Sequence, residues 1–176
     1  MKKLIVVIVV IIVCGAVAWQ VWRHMSKEPE EAPPVDISQR TRTVTLYFGS
    51  RDAGSLVPES RELKARDDVI GDLRGVVEAL ISGPQDGGVP TLPSSTRLLG
   101  AYISENTAYL DFSSEITDVS TGSTAGEYML IASVVNTVCS NFGEVDAVRI
   151  LVEGQEVDTL GGHLLISHPL RPSDWR

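Results

Sequence analysis

The chain has 176 residues, 43% hydrophobic and only 6% aromatic, a composition that suits a folded domain and offers little ring surface for stacking bases or sugars. Its formal net charge is −8, and from residue 43 onward 9 basic residues stand against 19 acidic ones. A domain this negative repels phosphate backbones, so no nucleic-acid partner is expected. Two cysteines, Cys14 in an apolar run and Cys139 in a helical pattern, make no disulfide framework.

A short tail (residues 1–3) precedes residues 4–22, which carry no charge. About 20 apolar residues suffice for a helix to cross the hydrocarbon core, so this segment is expected to be a transmembrane helix or uncleaved signal anchor and the chain's membrane partner. Trp19 and Trp22 mark an interfacial belt. Two other readings stay open. Ala16-Val17-Ala18 offers a signal-peptidase pattern, and Cys14 a lipidation site. Against them, the apolar run continues past the first, Trp19 would head the mature chain, and Val13 is large for the residue before a lipidated cysteine. Arg23 and Lys27 offset Lys2 and Lys3, so charge does not decide sidedness. Residues 23–42, rich in Glu and Pro, read as a polar linker.

The domain is expected over 43–170, with a tail at 171–176. Residues 43–48 alternate, Val44, Leu46 and Phe48 against Thr45 and Tyr47, as a half-buried strand does. Residues 56–65 form a weaker extended stretch that Pro58 confines to an edge. Asp67 or Asp68 caps a helix with apolar positions at Val69, Ile70, Leu73, Val76, Val77, Leu80 and Ile81, ended by Gly83-Pro84. Residues 98–103 and 107–112, around Ser104-Glu105-Asn106, predict a hairpin.

Thr124 and Glu127 have capping-box spacing at the start of a second helix, with its stripe at Leu130, Ile131, Val134, Val135, Val138 and Phe142 and Gly143 as its C-terminal cap. Residues 147–152 are the most β-branched run and predict a central strand, and 155–160 a returning one. One stripe per helix and one apolar face per strand predict an α+β fold, a mixed sheet with two helices packed on one face in the split βαβ manner.

Thr45-Leu46-Tyr47-Phe48, residues 77–84 (VEALISGP), Thr91-Leu92-Pro93, Asp111-Phe112-Ser113, Asn136-Thr137 and residues 148–154 (VRILVEG) occur in the order of the GerMN domain, the bacterial sporulation and spore-germination module. The chain resembles that family over residues 43–170. The resemblance implies a non-enzymatic, extracytoplasmic domain on the bacterial cytoplasmic membrane, with a fold like the ring-building motifs of envelope secretion machines. It also implies that the domain faces outside the cytoplasm. The sporulation protein of the family carries two such domains in tandem; this chain has room for one.

Chemistry-bearing patterns are weak. His163 and His168 lie five apart in a Gly- and Pro-rich tail, without helical spacing or a third ligand, and read as solvated loop residues rather than a metal site. Ser123 sits one position too early for a nucleophile elbow, so residues 122–126 read as the start of a helix. Asp111 and Glu115 could be imagined as paired carboxylates, but Asp111 alternates away from Leu110 and Phe112 and reads as a surface or turn-capping residue. No catalytic residue, cofactor or metal is expected.

Gly71 and Gly75 each cost up to about 1 kcal/mol against Ala in a helix interior, and both fall opposite the stripe centred on Leu73. With Glu78, Ala79 and Ser82 they define a smooth face, read either as tolerated glycines facing solvent or as a surface against which a protein partner or a second protomer packs. The functional expectation is a membrane-anchored scaffold or interaction module of the bacterial envelope. Its alternative is an anchored receptor for a small ligand such as a cell-wall fragment, which would need an apolar cleft with a few convergent polar groups.

Overall fold

The computed structural model describes residues 15, 17, 19, 20, 22, 40–52, 54–118 and 123–175. The chain divides into two units, Met1–Asp36 and Ile37–Arg176. In the first, Gly15, Val17, Trp19, Gln20 and Trp22 are helical and exposed. Most of the span expected at 4–22, and the linker expected at 23–42 up to residue 39, lie outside the described residues; among those described, no helix is long and apolar enough to cross a membrane.

The second unit runs β1 (Thr41–Gly49), β2 (Leu56–Lys64), α1 (Val69–Ile81), β3 (Leu98–Ser104), β4 (Thr107–Phe112), α2 (Thr124–Asn141), β5 (Ala147–Val152) and β6 (Gln155–Glu156), with single 3-10 turns at Ser114–Thr117 and Pro172–Asp174. This is the expected order of elements in an α+β fold. Asp68 caps α1, its Oδ1 accepting from the Gly71 N–H at 2.7 Å. Leu73, Val76, Val77 and Leu80 are buried, whereas Val69 is exposed, so the apolar stripe is narrower than its sequence pattern. Gly83 ends the helix in the left-handed region (φ 86°), its N–H bonded to the Leu80 carbonyl, a conformation that favours glycine.

The strands do not form the single mixed sheet expected. β1 and β2 form one two-stranded sheet, antiparallel over nine residues, to which Val89 adds a single bridge at Gly49, while β3-β4-β5-β6 form a separate four-stranded sheet in which β4 and β5 are parallel. A helix closes the other margin of β1: the Asn141 side chain of α2 accepts from the Thr45 N–H at 2.9 Å and donates to the Thr45 carbonyl at 2.7 Å, and Thr137 Oγ1 accepts from the Tyr47 N–H at 3.0 Å. The amide and hydroxyl of α2 thus take up the N–H and C=O of Thr45 and the N–H of Tyr47, where a neighbouring strand would otherwise bond. The parallel β4–β5 pair needs a crossover, and α2 supplies it.

α2 is buried on more than one side, with Leu130, Ile131, Ala132, Ser133, Val134, Val135, Thr137 and Val138 all inaccessible, because it packs against β1 and β5 and against α1. The core therefore runs continuously from Val44, Leu46 and Phe48 through both helices to Val148 and Ile150. Three details differ from the sequence pattern. The α2 cap is Ser123, whose hydroxyl accepts from the Gly126 N–H at 3.1 Å, and Glu127 turns inward instead of completing a capping box. The helix ends through extended Phe142, its ring buried, rather than through a left-handed Gly143. The strand expected at 155–160 stops at Glu156, because the chain beyond it is drawn toward Glu127.

Candidate interaction surfaces

Polar or exposed groups take a definite arrangement at several places among the described residues of the domain. The first is the outward side of α1. Gly71 and Gly75 lie beneath the side chain of Arg66, which reaches along the helix to Glu78 (Nη2 to Oε2, 3.3 Å). A Cβ on Gly71 would come within 2.9 Å of Arg66 Cβ, and one on Gly75 within 3.5 Å of its guanidinium. The glycines thus have an intramolecular reason: the loop before the helix passes too close for a side chain at 71. Glu78 and Ser82 are exposed and Ala79 half-buried, and the Arg66 side chain lies across Gly71 and Gly75.

The second place, unrecognised in the sequence, is the C-terminal end of α1. Arg61 of β2 donates to the carbonyls of Ala79 (3.1 Å) and Gly83 (3.0 Å), and its Nε donates to Glu59 Oε1 at 3.0 Å. Glu59 Oε2 accepts from the N–H groups of Gln85 and Asp86, at 2.8 and 2.9 Å. Both charges are buried. Burial pushes the Glu59 carboxyl up, but the two N–H donors and Arg61 outweigh it and hold the group below its ordinary value. A cation at a helix C-terminus satisfies orphan carbonyls and opposes the helix dipole. Only the alternation of Glu59 and Arg61 onto one strand face could have signalled this.

The third is a buried carboxylate. Glu127 is fully inaccessible, and it accepts from the backbone N–H groups of Leu160 (3.0 Å), Gly161 (2.8 Å) and His163 (2.9 Å) and lies 3.1 Å from His163 Nδ1. Burial raises its pKa, but the backbone donors and the His163 ring overcome that and leave it lowered. His163 and His168 are both exposed loop residues as expected, but the His163 ring also reaches the buried Glu127, a contact its sequence surroundings do not signal. The two histidines share no site, and among the described residues no group of three His, Cys, Asp or Glu could hold a metal ion. Asp111 does cap a turn, its Oδ1 accepting from the Gly154 N–H at 2.7 Å, while Glu115 pairs with Arg97 at 3.4 Å. Ser123 caps α2 rather than a nucleophile's elbow. Cys139 is half-buried, and burial together with Asp146 raises its thiol to about 11 against an opposing Arg171.

The fourth is a cleft of about 310 Å³ bordered by Tyr47, Leu56, Tyr128, Met129, Asn136 and Trp175. The Asn136 amide donates to the carbonyls of Ala132 (2.8 Å) and Trp175 (3.2 Å), which pins the C-terminal segment along this wall.

The profile of a family described as sporulation and spore germination, Germane, matches residues 45–158. Among solved structures, a protein from Clostridium perfringens described as a lipoprotein is 29% identical, with a TM-score of 0.56, over 76% of this chain and 89% of that one. The first GerMN domain of the sporulation protein GerM from Bacillus subtilis is 24% identical, with a TM-score of 0.64, over 76% of this chain and 99% of that one. The tandem GerMN domains of the same protein are 23% identical, with a TM-score of 0.61, over 77% of this chain and 48% of that one, so the present chain spans about half of the tandem. The two likenesses to the Bacillus protein concern the fold. No curated protein matches the chain.

Proposed function

We propose, on the premise that the chain belongs to the Germane family of sporulation and spore germination, that it is a membrane-anchored interaction module displayed outside the cytoplasm of a bacterial cell, acting by assembly rather than catalysis. The observation that carries this reading is the coupling of a family domain over residues 45–158 to an uncharged segment at 4–22 through a Pro- and Glu-rich linker. Likeness to a protein described as a lipoprotein supports an anchored, outward-facing domain. The α1 face of Gly71, Gly75, Glu78, Ala79 and Ser82 enters as the surface that a protein partner would reach once Arg66 swings aside. Pull-down of the full chain from solubilised membranes, followed by mass spectrometry, tests the reading, with Gly75→Leu as the comparison. Loss of the recovered partner in that variant supports the α1 face; recovery of no partner by the parent chain overturns the assembly reading.

A second reading, a receptor for a small ligand such as a cell-wall fragment, draws on the 310 Å³ cleft, whose lining includes Tyr47, Tyr128, Trp175 and Asn136. Titration with soluble cell-wall fragments, followed by tryptophan fluorescence, distinguishes it; an unchanged signal removes it.

A further inference from the structure

The margins of the two sheets are guarded unequally. β1 is closed by Thr137 and Asn141 of α2. β2 carries Pro58 and the charges of Glu59, Arg61, Glu62 and Lys64, and β6 is two residues long; these are the usual means of keeping sheet edges apart. β3 lies at the other margin of the four-stranded sheet, and its sequence, LLGAYIS, contains no charge and no proline. A bulge between Leu98 and Gly100 is its one irregularity, and beyond β4 its described bonds reduce to one from Arg74 Nη2 to the Leu98 carbonyl at 3.4 Å.

The geometry fixes which backbone groups face out. Glu105 and Asn106 form a two-residue turn with both φ values positive (46° and 62°), so Ser104 and Thr107 are a hydrogen-bonded pair. By alternation, Gly100 and Tyr102 direct their N–H and C=O groups to β4, and Ala101 and Ile103 direct theirs outward. The Tyr102 ring stacks on Tyr109 at 4.5 Å with 6° between planes, on the exposed side of the sheet.

We propose that β3 pairs antiparallel with β3 of a second copy, with Ala101 at the two-fold axis, joining two four-stranded sheets into one. The proposal rests on the assembly reading above and names the partner and the surface. Full overlap of Leu98–Ser104 requires this register, which sets the outward groups of the two Ala101 residues against each other. It places Tyr102 across from Gly100 of the second copy, so that a ring covers an edge glycine. It also brings Arg97, whose side chain is 67% exposed and pairs with Glu115 at 3.4 Å within its own copy, to the end where Glu105 of the second copy sits, twice by symmetry. An uncharged strand flanked by one residue of each sign is thus complementary to itself, on a domain that is otherwise strongly acidic.

The test uses the full chain in detergent micelles with Cys14→Ala and Cys139→Ala. Gly100→Cys and Tyr102→Cys are made in separate batches, since a Cβ at Gly100 meets only the Asp111 side chain, at 3.5 Å. In the proposed register the two positions are directly opposed at about 4.5–5.5 Å between Cα atoms, within disulfide reach, while each position is too far from its own copy. Oxidation of the mixture is expected to give a disulfide-linked dimer that neither batch forms alone. Arg97→Glu and Glu105→Arg are each expected to weaken association by about tenfold at low salt, and the double swap to restore it. Circular dichroism verifies the fold of each variant. Dimers that persist by sedimentation without the mixed disulfide overturn the β3 pairing and leave the assembly reading standing. A monomer that still recovers a different protein from membranes does the same, and equal disulfide formation in all three samples also overturns the pairing.

Discussion

The Glu127 carboxylate lies 2.9 Å from the backbone nitrogen of His163 and 3.1 Å from its ring Nδ1, so a residue in the first turn of α2 organises a loop 36 positions further along. Its folded-state pKa is lowered from 4.5, whereas the unfolded carboxyl keeps the ordinary value. A depressed pKa contributes stability that is present above 4.5 and is lost as the pH falls through the folded value. Glu127→Gln keeps the volume but turns an amide N–H toward backbone donors, and is expected to cost about 2–3 kcal/mol at neutral pH. The difference from the parent should shrink in acid. Urea unfolding at neutral pH and again below 4.5 checks this, and an equal loss at both sinks the assignment.

The Arg61–Glu59 pair predicts a different pattern. Removing Arg61 takes a donor from the carbonyls of Ala79, in α1, and Gly83, just past it, and leaves the buried Glu59 carboxylate without its cation. Arg61→Ala is expected to cost about 3–5 kcal/mol, as breaking buried pairs does. The double variant Glu59→Ala, Arg61→Ala should cost less than the sum of the singles, because no unpaired charge remains. Additive losses in chemical denaturation would show that the two do not act together.

Local periodicity made most elements legible, since stripe, cap and turn signals depend on neighbours a few residues apart. The α1 cap is Asp68, one of the two candidates, the hairpin turns within the expected 104–106 segment, and residues 147–152 form the inner strand that their β-branching predicts. Pairings across the chain were not legible. Nothing local to Asn141 shows that its amide replaces a strand beside Thr45, 96 residues away, so one sheet was expected where there are two. Glu127 fitted a capping box by spacing alone, and its choice of the 160–163 loop is a tertiary preference for three N–H groups over one. Nor was it legible that Arg66 lies over the small residues Gly71 and Gly75 of α1.

The Asn141–Thr45 bridge should be costly to remove. Asn141→Leu deletes both side-chain bonds to β1 and leaves a part-buried N–H and C=O without partners, for an expected loss of about 2–3 kcal/mol. Thr137→Val, nearly isosteric, removes only the acceptor for the Tyr47 N–H and should cost about 1–2 kcal/mol. Hydrogen exchange is the sharper readout: protection at Thr45 and Tyr47 should fall selectively in the matching variant. Uniform loss across β1 would mean global destabilisation instead.

Cys139 should behave as an inert thiol. With its pKa raised to about 11 by burial and by Asp146, almost no thiolate is present at neutral pH. In a Cys14→Ala chain, maleimide labelling is expected to be slow in buffer and fast in denaturant. Rapid labelling of the folded protein would contradict the burial.

The two α1 glycines should respond oppositely to the same substitution, which separates a packing requirement from a tolerated cost. At Gly75 a new Cβ meets the flexible end of Arg66 at 3.5 Å, an ordinary contact, so Gly75→Ala should stabilise by about 0.5–1 kcal/mol through helix propensity. At Gly71 the same atom would lie 2.9 Å from Arg66 Cβ, close to the backbone of the loop that also bonds Asp72 through the Arg66 N–H at 2.7 Å. That loop cannot yield without losing the bond, so Gly71→Ala should destabilise by about 1 kcal/mol despite its better propensity. Thermal unfolding of the two variants checks the signs. If both stabilise, the close approach at Gly71 is not a constraint, and the small residues there would need a reason outside the fold, as a partner packed on the helix would provide.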